Sequence, residues 1–120
     1  MTPHPLTLAF ALRASEQPVV NFPEHDLSLL EGQLHGFDEA LSYTGQLGTY
    51  ERFNRVFGRY VASKYDLPTS HSWALALMSG YGRSVQTVDR FRRVLGLFVQ
   101  ACAASSSQAS APVESAGRNQ

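Results

Sequence analysis

Apolar residues recur at intervals of three and four along most of this chain, and that period constrains the fold more than any other feature. In an α-helix this spacing places the side chains on one face, whereas a half-buried β-strand would show strict alternation. Four stretches have the helical period, at about 26–44, 50–65, 71–79 and 85–103, and polar or glycine-rich residues separate them. The sequence therefore predicts an all-α fold in which each helix buries one apolar stripe.

Residues with side-chain oxygens stand at the predicted helix starts. Asp26, Thr49, Ser70 and Ser84 can each accept hydrogen bonds from the free amides of a first helical turn. The stretches "TGQLG", "DLP" and "SGYGR" follow the first three of these helices and predict their ends, because glycine and proline interrupt a helical pattern. Short connections of this kind favour helices that pack as antiparallel neighbours.

The stretch "LTLAFALR" near the N-terminus is open to two interpretations. Its alternation of large apolar residues from Leu6 to Leu12 would suit a strand. Its leucine and alanine content and the preceding Pro5 favour a helix at about 5–16 instead. We favour the helix, so the sequence predicts an antiparallel bundle of four or five helices.

The chain has 120 residues, of which 43% are hydrophobic and 17% are charged, a composition typical of one globular domain. We assign residues 1–103 to a single helical domain. The small polar residues 104–120 are predicted to form a disordered tail, since they cannot bury enough apolar surface to offset the entropy lost on ordering. No apolar run approaches the roughly 20 residues of a membrane span, the N-terminus does not resemble a signal peptide, and the single Cys102 excludes an internal disulfide. A cytoplasmic protein is therefore expected.

The first of the four clear helices carries three small residues on a row four apart, Gly32, Gly36 and Ala40. Glycine inside a helix costs about 1 kcal/mol relative to alanine, so this row predicts a close approach by another helix. The outer face of the same helix is predicted to carry Glu31 and Asp38.

The charges are segregated along the chain, although it has ten basic and ten acidic residues and no net charge. No lysine or arginine occurs from Ala14 to Glu51, a segment with seven acids, whereas the segment from Arg52 to Arg93 holds eight bases and two acids. Halves of opposite sign can face each other across the fold or form separate patches for charged partners. The candidate partner-binding residues are the acids and arginines of the two clearest helices and their flanks: Glu24, Glu31, Asp38, Arg52, Arg55 and Arg59.

The segment "SHSWALAL" places Ser70 beside His71, but it does not predict an active site. A serine nucleophile needs a histidine within hydrogen-bond reach and a third group that orients it. Adjacent residues at a helix start point about 100° apart, so neighbours in sequence are not within that reach. We interpret Ser70 as a helix cap, His71 as an exposed residue and Trp73 as part of the core.

Other catalytic signatures are also missing from the sequence. No histidine pair has the spacing of a helical zinc site, and "GYGRS" lacks the lysine and flanking strand of a phosphate-binding loop. Cys102 falls on the apolar stripe of the last helix, where a cysteine is more often a small apolar residue than a nucleophile. The sequence predicts no catalytic residue, no metal site and no cofactor, and we do not expect an enzyme.

Arginines on two predicted helices keep a nucleic-acid interface open as the alternative, since guanidinium groups can contact phosphates. These arginines are Arg52, Arg55, Arg59, Arg90, Arg92 and Arg93. On the last helix, Arg90 and Arg93 share a face with Gln86, and several tyrosines lie near the arginines in sequence. A nucleic-acid-binding domain usually has a net basic excess, which this chain lacks. We therefore place binding to another protein first and binding to nucleic acid second.

The segment "FNRVFGRYVASKYDLPTSHSWALALMSGYGRSVQTVDRFRRVLGLF" resembles a family of small helical bacterial proteins. The shared pattern is a helix led by phenylalanine, a loop, a serine-rich cap followed by tryptophan, and a last helix with spaced aromatic residues. The matching residues are Phe53, Tyr60, Tyr65, Ser70, Trp73, Phe91, Leu95 and Phe98, preceded in "LSLLEGQLHGFDEAL" by Leu30, Leu34, Gly36, Phe37, Ala40 and Leu41.

This resemblance covers about residues 18–100 and rests mostly on core and cap positions. Several members of the family look like products of genes that lie beside polymorphic toxin genes. This position implies an immunity or antitoxin role, in which the protein masks a toxin domain. The present sequence departs from that expectation in one respect. It has no net acidity, which a protein that blocks a basic nuclease site would be expected to have.

The assignment of "SHSW" can be tested by comparing Trp73→Ala with His71→Ala. Truncation of a buried tryptophan typically costs about 3–5 kcal/mol, a large share of a small domain's stability, whereas an exposed histidine in a first turn contributes little. We expect Trp73→Ala to lower the melting temperature far more than His71→Ala. Equal melting temperatures for the two variants would contradict the assignment.

Overall fold

A computed structural model describes residues 2–17, 25–66 and 72–115, with side chains up to residue 104. Over these residues the fold is all-α, as predicted, and contains five helices. They are α1 (Pro5–Glu16), α2 (Leu27–Tyr43), α3 (Phe53–Tyr65), α4 (Trp73–Met78) and α5 (Val85–Ser115). Helices α2 and α5 each pack against α1, α3 and α4, so the core lies between them. The N-terminal residues add one isolated parallel bridge between Pro3 and Glu51.

The N-terminal stretch is a helix, which decides between the two interpretations of its sequence. Pro5 occupies the first helical turn, and Nδ1 of His4 accepts a hydrogen bond from the amide of Leu6 at 3.1 Å. Helix α1 buries Ala11 and Ala14 completely in the core, whereas Leu6 is exposed. Small residues face the core here, so the alternation of larger residues is not the feature that determines the structure.

Helix α2 begins as predicted, with Asp26 as its cap. The Asp26 carboxylate accepts hydrogen bonds from the hydroxyl and the amide of Ser28 at 2.6 and 3.0 Å, and Arg83 lies 3.4 Å away. The hydrogen bond from the Ser28 hydroxyl, more than the nearby arginine, lowers the pKa of Asp26 below its ordinary value. A carboxylate with a lowered pKa stabilises the fold at neutral pH, and this contribution is lost as the pH falls through the lowered pKa.

The core is centred on aromatic side chains from three helices. The rings of Trp73 and Phe91 stack with centroids 5.4 Å apart, and Phe57 meets Trp73 edge-on at 5.0 Å. Phe53 and Phe98 complete the cluster at 6.0 Å from each other. Edge-to-face and stacked pairs of this kind are worth about 0.5–1.5 kcal/mol beyond their burial, so the cluster stabilises α3, α4 and α5 together.

Asp38 does not lie on an outer face, and this prediction was wrong. Its side chain is only 1% exposed, and its carboxylate accepts hydrogen bonds from the Thr7 hydroxyl and the Phe53 amide, each at 2.6 Å. The second bond also explains why Thr49 is not the cap of α3. That helix begins at Phe53, and Arg52 at its cap position makes no capping bond through its side chain. A carboxylate from α2 therefore caps α3, at the end where the helix dipole favours a negative charge.

Helix α4 is capped by Ser72 and not by the predicted Ser70. The hydroxyl oxygen of Ser72 accepts from the Leu75 amide at 3.3 Å, and the hydroxyl donates to Oε1 of Glu31 at 2.6 Å. Ser70 and His71 lie outside the described residues, so the assignment of His71 stays a prediction. The cap moves because Trp73, the next residue, already begins the helix and is buried in the core.

The row of small residues on α2 faces solvent, which contradicts the predicted helix contact. Gly32, Gly36 and Ala40 are all exposed, and a Cβ atom added at either glycine would meet nothing within 4 Å. The side of α2 that packs against its neighbours is formed by leucines and by Asp38. Helix packing here is thus achieved through large side chains and one buried carboxylate, not through close backbone approach.

Helix α5 begins as predicted after Ser84, whose hydroxyl oxygen accepts from the Thr87 amide at 3.3 Å. Its buried stripe includes Val88, Phe91 and Phe98, as the sequence indicated. The helical backbone continues to Ser115. The predicted disordered tail, residues 104–120, lies almost wholly outside the residues whose side chains are described.

Replacement of Asp38 by alanine should be strongly destabilising. It leaves the Thr7 hydroxyl and the Phe53 amide buried without acceptors, at a cost of about 3 kcal/mol. The matched control is Glu39→Ala, which removes an exposed carboxylate from the next position and should cost less than about 1 kcal/mol. Urea unfolding measures both free energies, and similar losses for the two variants would disprove the capping role.

Candidate functional site

The acidic residues predicted to bind a partner are used within the fold or lie outside the described residues. Asp38 is buried, as described above, and Glu24 falls outside the described ranges. Glu31 is half-buried: its carboxylate accepts from Ser72, and its backbone carbonyl accepts from Nδ2 of Asn54 at 2.9 Å. Oδ1 of the same Asn54 accepts from the Trp73 indole N–H at 2.9 Å. These residues therefore hold α2, α3 and α4 together and do not form a free acidic face.

Two of the three arginines predicted to share one face of the helix at about 50–65, now α3, are paired with acids. Nη1 of Arg52 lies 2.9 Å from Oε1 of Glu39, without the alignment of a hydrogen bond. Nη2 of Arg59 donates to Oε2 of Glu51 at 2.9 Å. The acidic and basic halves of the chain thus face each other here, which was one of the two predicted alternatives. Partly exposed pairs like these add little stability, but they neutralise the surface.

Arg55 differs from its two neighbours on α3. It is exposed, and its side chain makes no ion pair with any described residue. It borders a shallow cleft of about 320 Å³ together with Tyr50. Of the six residues proposed from sequence as partner-binding, Arg55 is the one that the described structure leaves exposed and without a charged partner.

Two arginines of α5 bind backbone carbonyls at the ends of other helices. Nη1 of Arg90 donates to the carbonyls of Leu77 and Ser79 at 3.2 and 3.1 Å, at the end of α4. Nε of Arg92 donates to the carbonyl of Ser15 at 2.9 Å, near the end of α1. Positive groups are favoured at helix C-termini, where carbonyls lack partners within the helix. Both arginines are therefore structural.

A cleft of about 380 Å³ opens beside Arg90, and we call it the tyrosine–arginine cleft. Six residues from three parts of the fold line it: Tyr65, Tyr81, Gln86, Asp89, Arg90 and Arg93. The Cζ atom of Arg90 lies 4.5 Å from the centroid of the Tyr65 ring and 5.4 Å from that of Tyr81. Both distances are within the range of cation–π attraction, so the guanidinium and the two rings hold one another in place.

Local sequence explains how each side of the cleft is formed. Tyr65 ends α3, and Tyr81 lies in the turn after α4 between Gly80 and Gly82, whose φ angles of 89° and 63° favour glycine. The remaining four residues have the spacing i, i+3, i+4 and i+7, which places them on one face of α5. The prediction that Gln86, Arg90 and Arg93 share a face is confirmed.

Arg93 is the group in this cleft that is available to a ligand. It is exposed and makes no ion pair with any described residue. The carboxylate of Asp89 also lines the cleft, but it lies 3.3 Å from Nη1 of Arg92. The cleft therefore combines two guanidinium groups, one partly neutralised carboxylate and two aromatic rings.

Cys102 borders a separate, mostly apolar cleft of about 310 Å³ with Pro3, Leu8 and Tyr50. Burial raises the pKa of its thiol above the ordinary value, so the reactive thiolate is scarcer at neutral pH. Among the described residues, no group of three metal-ligating side chains lies close enough to hold a metal ion. In the same part of the chain, no helix has the length and apolar character of a membrane span.

The sequence named the arginines and the nearby tyrosines but did not predict this cleft. The motif "GYG" signals a turn, and a tyrosine between two glycines in a turn is placed where it can be exposed. Which helix face that turn would meet depends on packing between α4 and α5. The signal for Tyr81 was therefore present, but the signal for its contact with Arg90 was not.

Arg90 and Arg93 offer a matched test of the two roles on one helix face. Arg90→Gln removes the charged donor to two helix-end carbonyls and the cation–π contacts, and should lower the free energy of unfolding by about 1–3 kcal/mol. Arg93→Gln should change it by less than about 0.5 kcal/mol. Thermal unfolding of both variants measures these changes in stability. A larger loss for Arg93→Gln than for Arg90→Gln would contradict the structural role assigned to Arg90.

No protein-family model, curated protein or solved structure matches the chain. The resemblance to a family of small helical bacterial proteins therefore rests on the quoted sequence motifs alone. The structure adds two features on which a function can be proposed. They are the tyrosine–arginine cleft and the exposed charges of α3.

Proposed function

We propose that this chain is a protein-binding module and that the tyrosine–arginine cleft is its recognition centre. The observation that carries the proposal is the fixed Arg90 guanidinium, which is held by two carbonyls and two tyrosine rings. It lies beside Arg93, which makes no ion pair with any described residue. Tyrosine and arginine are the residues most enriched among those that dominate binding energy at protein interfaces. A side chain already held in place loses little entropy on binding, which favours affinity.

The proposed partner is a toxin domain, which the chain would mask in the cytoplasm as an immunity-type protein. Support for this choice comes from the resemblance of residues 18–100 to small helical proteins encoded beside polymorphic toxins. A helical domain with a rigid cleft can bind a toxin through a preformed surface, because preorganised proteins form complexes with little backbone movement.

The exposed charges around α3 act as a secondary surface in this proposal. Arg52 and Arg59 are balanced by Glu39 and Glu51, so this surface presents alternating charges and not a single sign. Charges at the edge of an interface speed encounter and set specificity more than they add affinity. Arg55, which lacks a charged partner among the described residues, is the residue of this group most available to a toxin.

A nucleic-acid-binding regulator is the second candidate, and one observation favours it. Tyr65 and Tyr81 border the same cleft as two guanidinium groups, and single-stranded nucleic acids are bound by aromatic stacking and phosphate contacts. Four other arginines are paired with acids, namely Arg52, Arg59, Arg83 and Arg92, and are therefore less available to phosphates. A titration with single-stranded DNA and RNA over a salt series separates the candidates. An affinity that falls steeply with salt would favour the regulator over the protein-binding module.

The main proposal is tested by co-expressing the chain with the toxin domains encoded beside it and measuring protection and complex formation. We expect a stable complex, and we expect Arg93→Gln and Tyr81→Ala each to weaken it by about 2 kcal/mol, or roughly thirtyfold in Kd. Arg55→Gln, at the secondary surface, should weaken it less than either of these variants. Arg13→Gln is the matched control, at an exposed arginine of α1 that makes no ion pair with any described residue.

Different outcomes of this experiment test the assignment of the binding surface and the immunity-type function separately. Loss of binding in Arg55→Gln with full binding in Arg93→Gln would place the recognition centre on α3 and overturn the assignment of the cleft. Absence of any complex and of any protection would overturn the immunity-type role itself.

A further inference from the structure

We infer that the tyrosine–arginine cleft binds a carboxylate, supplied by a glutamate or aspartate side chain of the partner protein. This inference rests on the proposed function and names the chemistry that the cleft recognises. The cleft has a volume of about 380 Å³, enough for one or two side chains but small for a folded element. Its occupant is therefore a side chain that projects from the partner's surface.

The two guanidinium groups of the cleft are not equivalent donors. Arg90 already donates through Nη1 to two backbone carbonyls, and its position is set by Tyr65 and Tyr81. Arg93 makes no ion pair with any described residue, so its planar fork of N–H donors is open to a ligand. A single free guanidinium matches the two oxygens of one carboxylate, which it can bind through two parallel hydrogen bonds.

Asp89 favours a singly charged group over a phosphoryl dianion. Its carboxylate lines the cleft, is 54% exposed, and is only partly neutralised by Arg92 at 3.3 Å. Together with the guanidinium groups of Arg90 and Arg93, this carboxylate leaves the cleft with a net charge of about one positive unit. One carboxylate neutralises that charge, whereas a phosphate group with two negative charges leaves one of them uncompensated. A carboxylate, with one negative charge, is therefore better suited to this cleft than a phosphate group with two.

The tyrosines supply a surface for the carbon atoms that carry the carboxylate. Tyr81 is 53% exposed, so its ring can be covered by the methylene groups of a glutamate or by a neighbouring apolar residue. Gln86 adds a neutral amide donor on the same wall. The expected recognition element is an acidic residue next to an apolar one.

Small blocked peptides test this chemistry without knowledge of the partner. The probes are acetyl-Glu-Leu-amide, its neutral counterpart acetyl-Gln-Leu-amide, and inorganic phosphate. Each is titrated into the full-length chain at pH 7 while the arginine Nε–H signals are followed by NMR. We expect the glutamate peptide to shift the Arg93 signal and to bind about tenfold more tightly than the glutamine peptide, because a hydrogen bond to a charged group is lost in the latter.

Two variants locate the binding. Arg93→Gln should reduce the affinity for the glutamate peptide about tenfold. The matched control is Arg13→Gln, at an exposed arginine of α1 that makes no ion pair with any described residue, and it should leave the affinity unchanged. Equal binding of the two peptides, tighter binding of phosphate, or an equal effect of the two variants would each overturn the inference.

The result is distinguishable from a failure of the proposed function. If the toxin complex forms but the peptides bind equally, the carboxylate inference is wrong while the protein-binding function stands. If no toxin complex forms and the glutamate peptide still binds at Arg93, the masking role is wrong while the chemistry of the cleft stands.

Discussion

The buried carboxylate of Asp38 connects three parts of the fold. It sits on α2, accepts a hydrogen bond from Thr7 on α1, and caps α3 through the amide of Phe53. An isolated carboxylate is costly to bury, so its bonds are required and not incidental. Because the carboxylate decides where α3 begins, it also sets the positions of Phe53 and Phe57 in the aromatic core. The register of α3 against Trp73 and Phe98 follows from that start.

Most of the polar groups that first suggest a functional site make hydrogen bonds or ion pairs within the fold. Glu31 and Asn54 orient Ser72 and Trp73 at the start of α4, while Arg90 and Arg92 bind carbonyls at the ends of α4 and α1. A buried or half-buried polar group needs partners, and in a small domain the nearest partners are helix ends. The charges left for a ligand are therefore few. Arg55 and Arg93 are the arginines on α3 and α5 that neither pair with an acid nor donate to a backbone carbonyl of a described residue.

The tyrosine–arginine cleft forms where three segments meet: the end of α3, the turn after α4 and the first turns of α5. The same Arg90 that closes the end of α4 also holds the two tyrosine rings. Stability and the shape of the proposed site are thus coupled, since the guanidinium that caps the helix also forms one wall of the cleft. Arg93 is free of this structural duty, which is why it is the group assigned to recognition.

The sequence by itself determined the all-α class, a count of four or five helices and their approximate extent, because apolar period and turn residues are local signals. It placed α1 at residues 5–16, assigned the caps Asp26 and Ser84, and put Gln86, Arg90 and Arg93 on one face. Only the tertiary structure decided that Asp38 is buried, that α3 is capped from another helix, and that Gly32 and Gly36 face solvent. The reason is physical: a polar residue on a helix is equally compatible with solvent and with a buried partner. The choice depends on which donors the packed helices bring to it, and those donors come from residues distant in sequence.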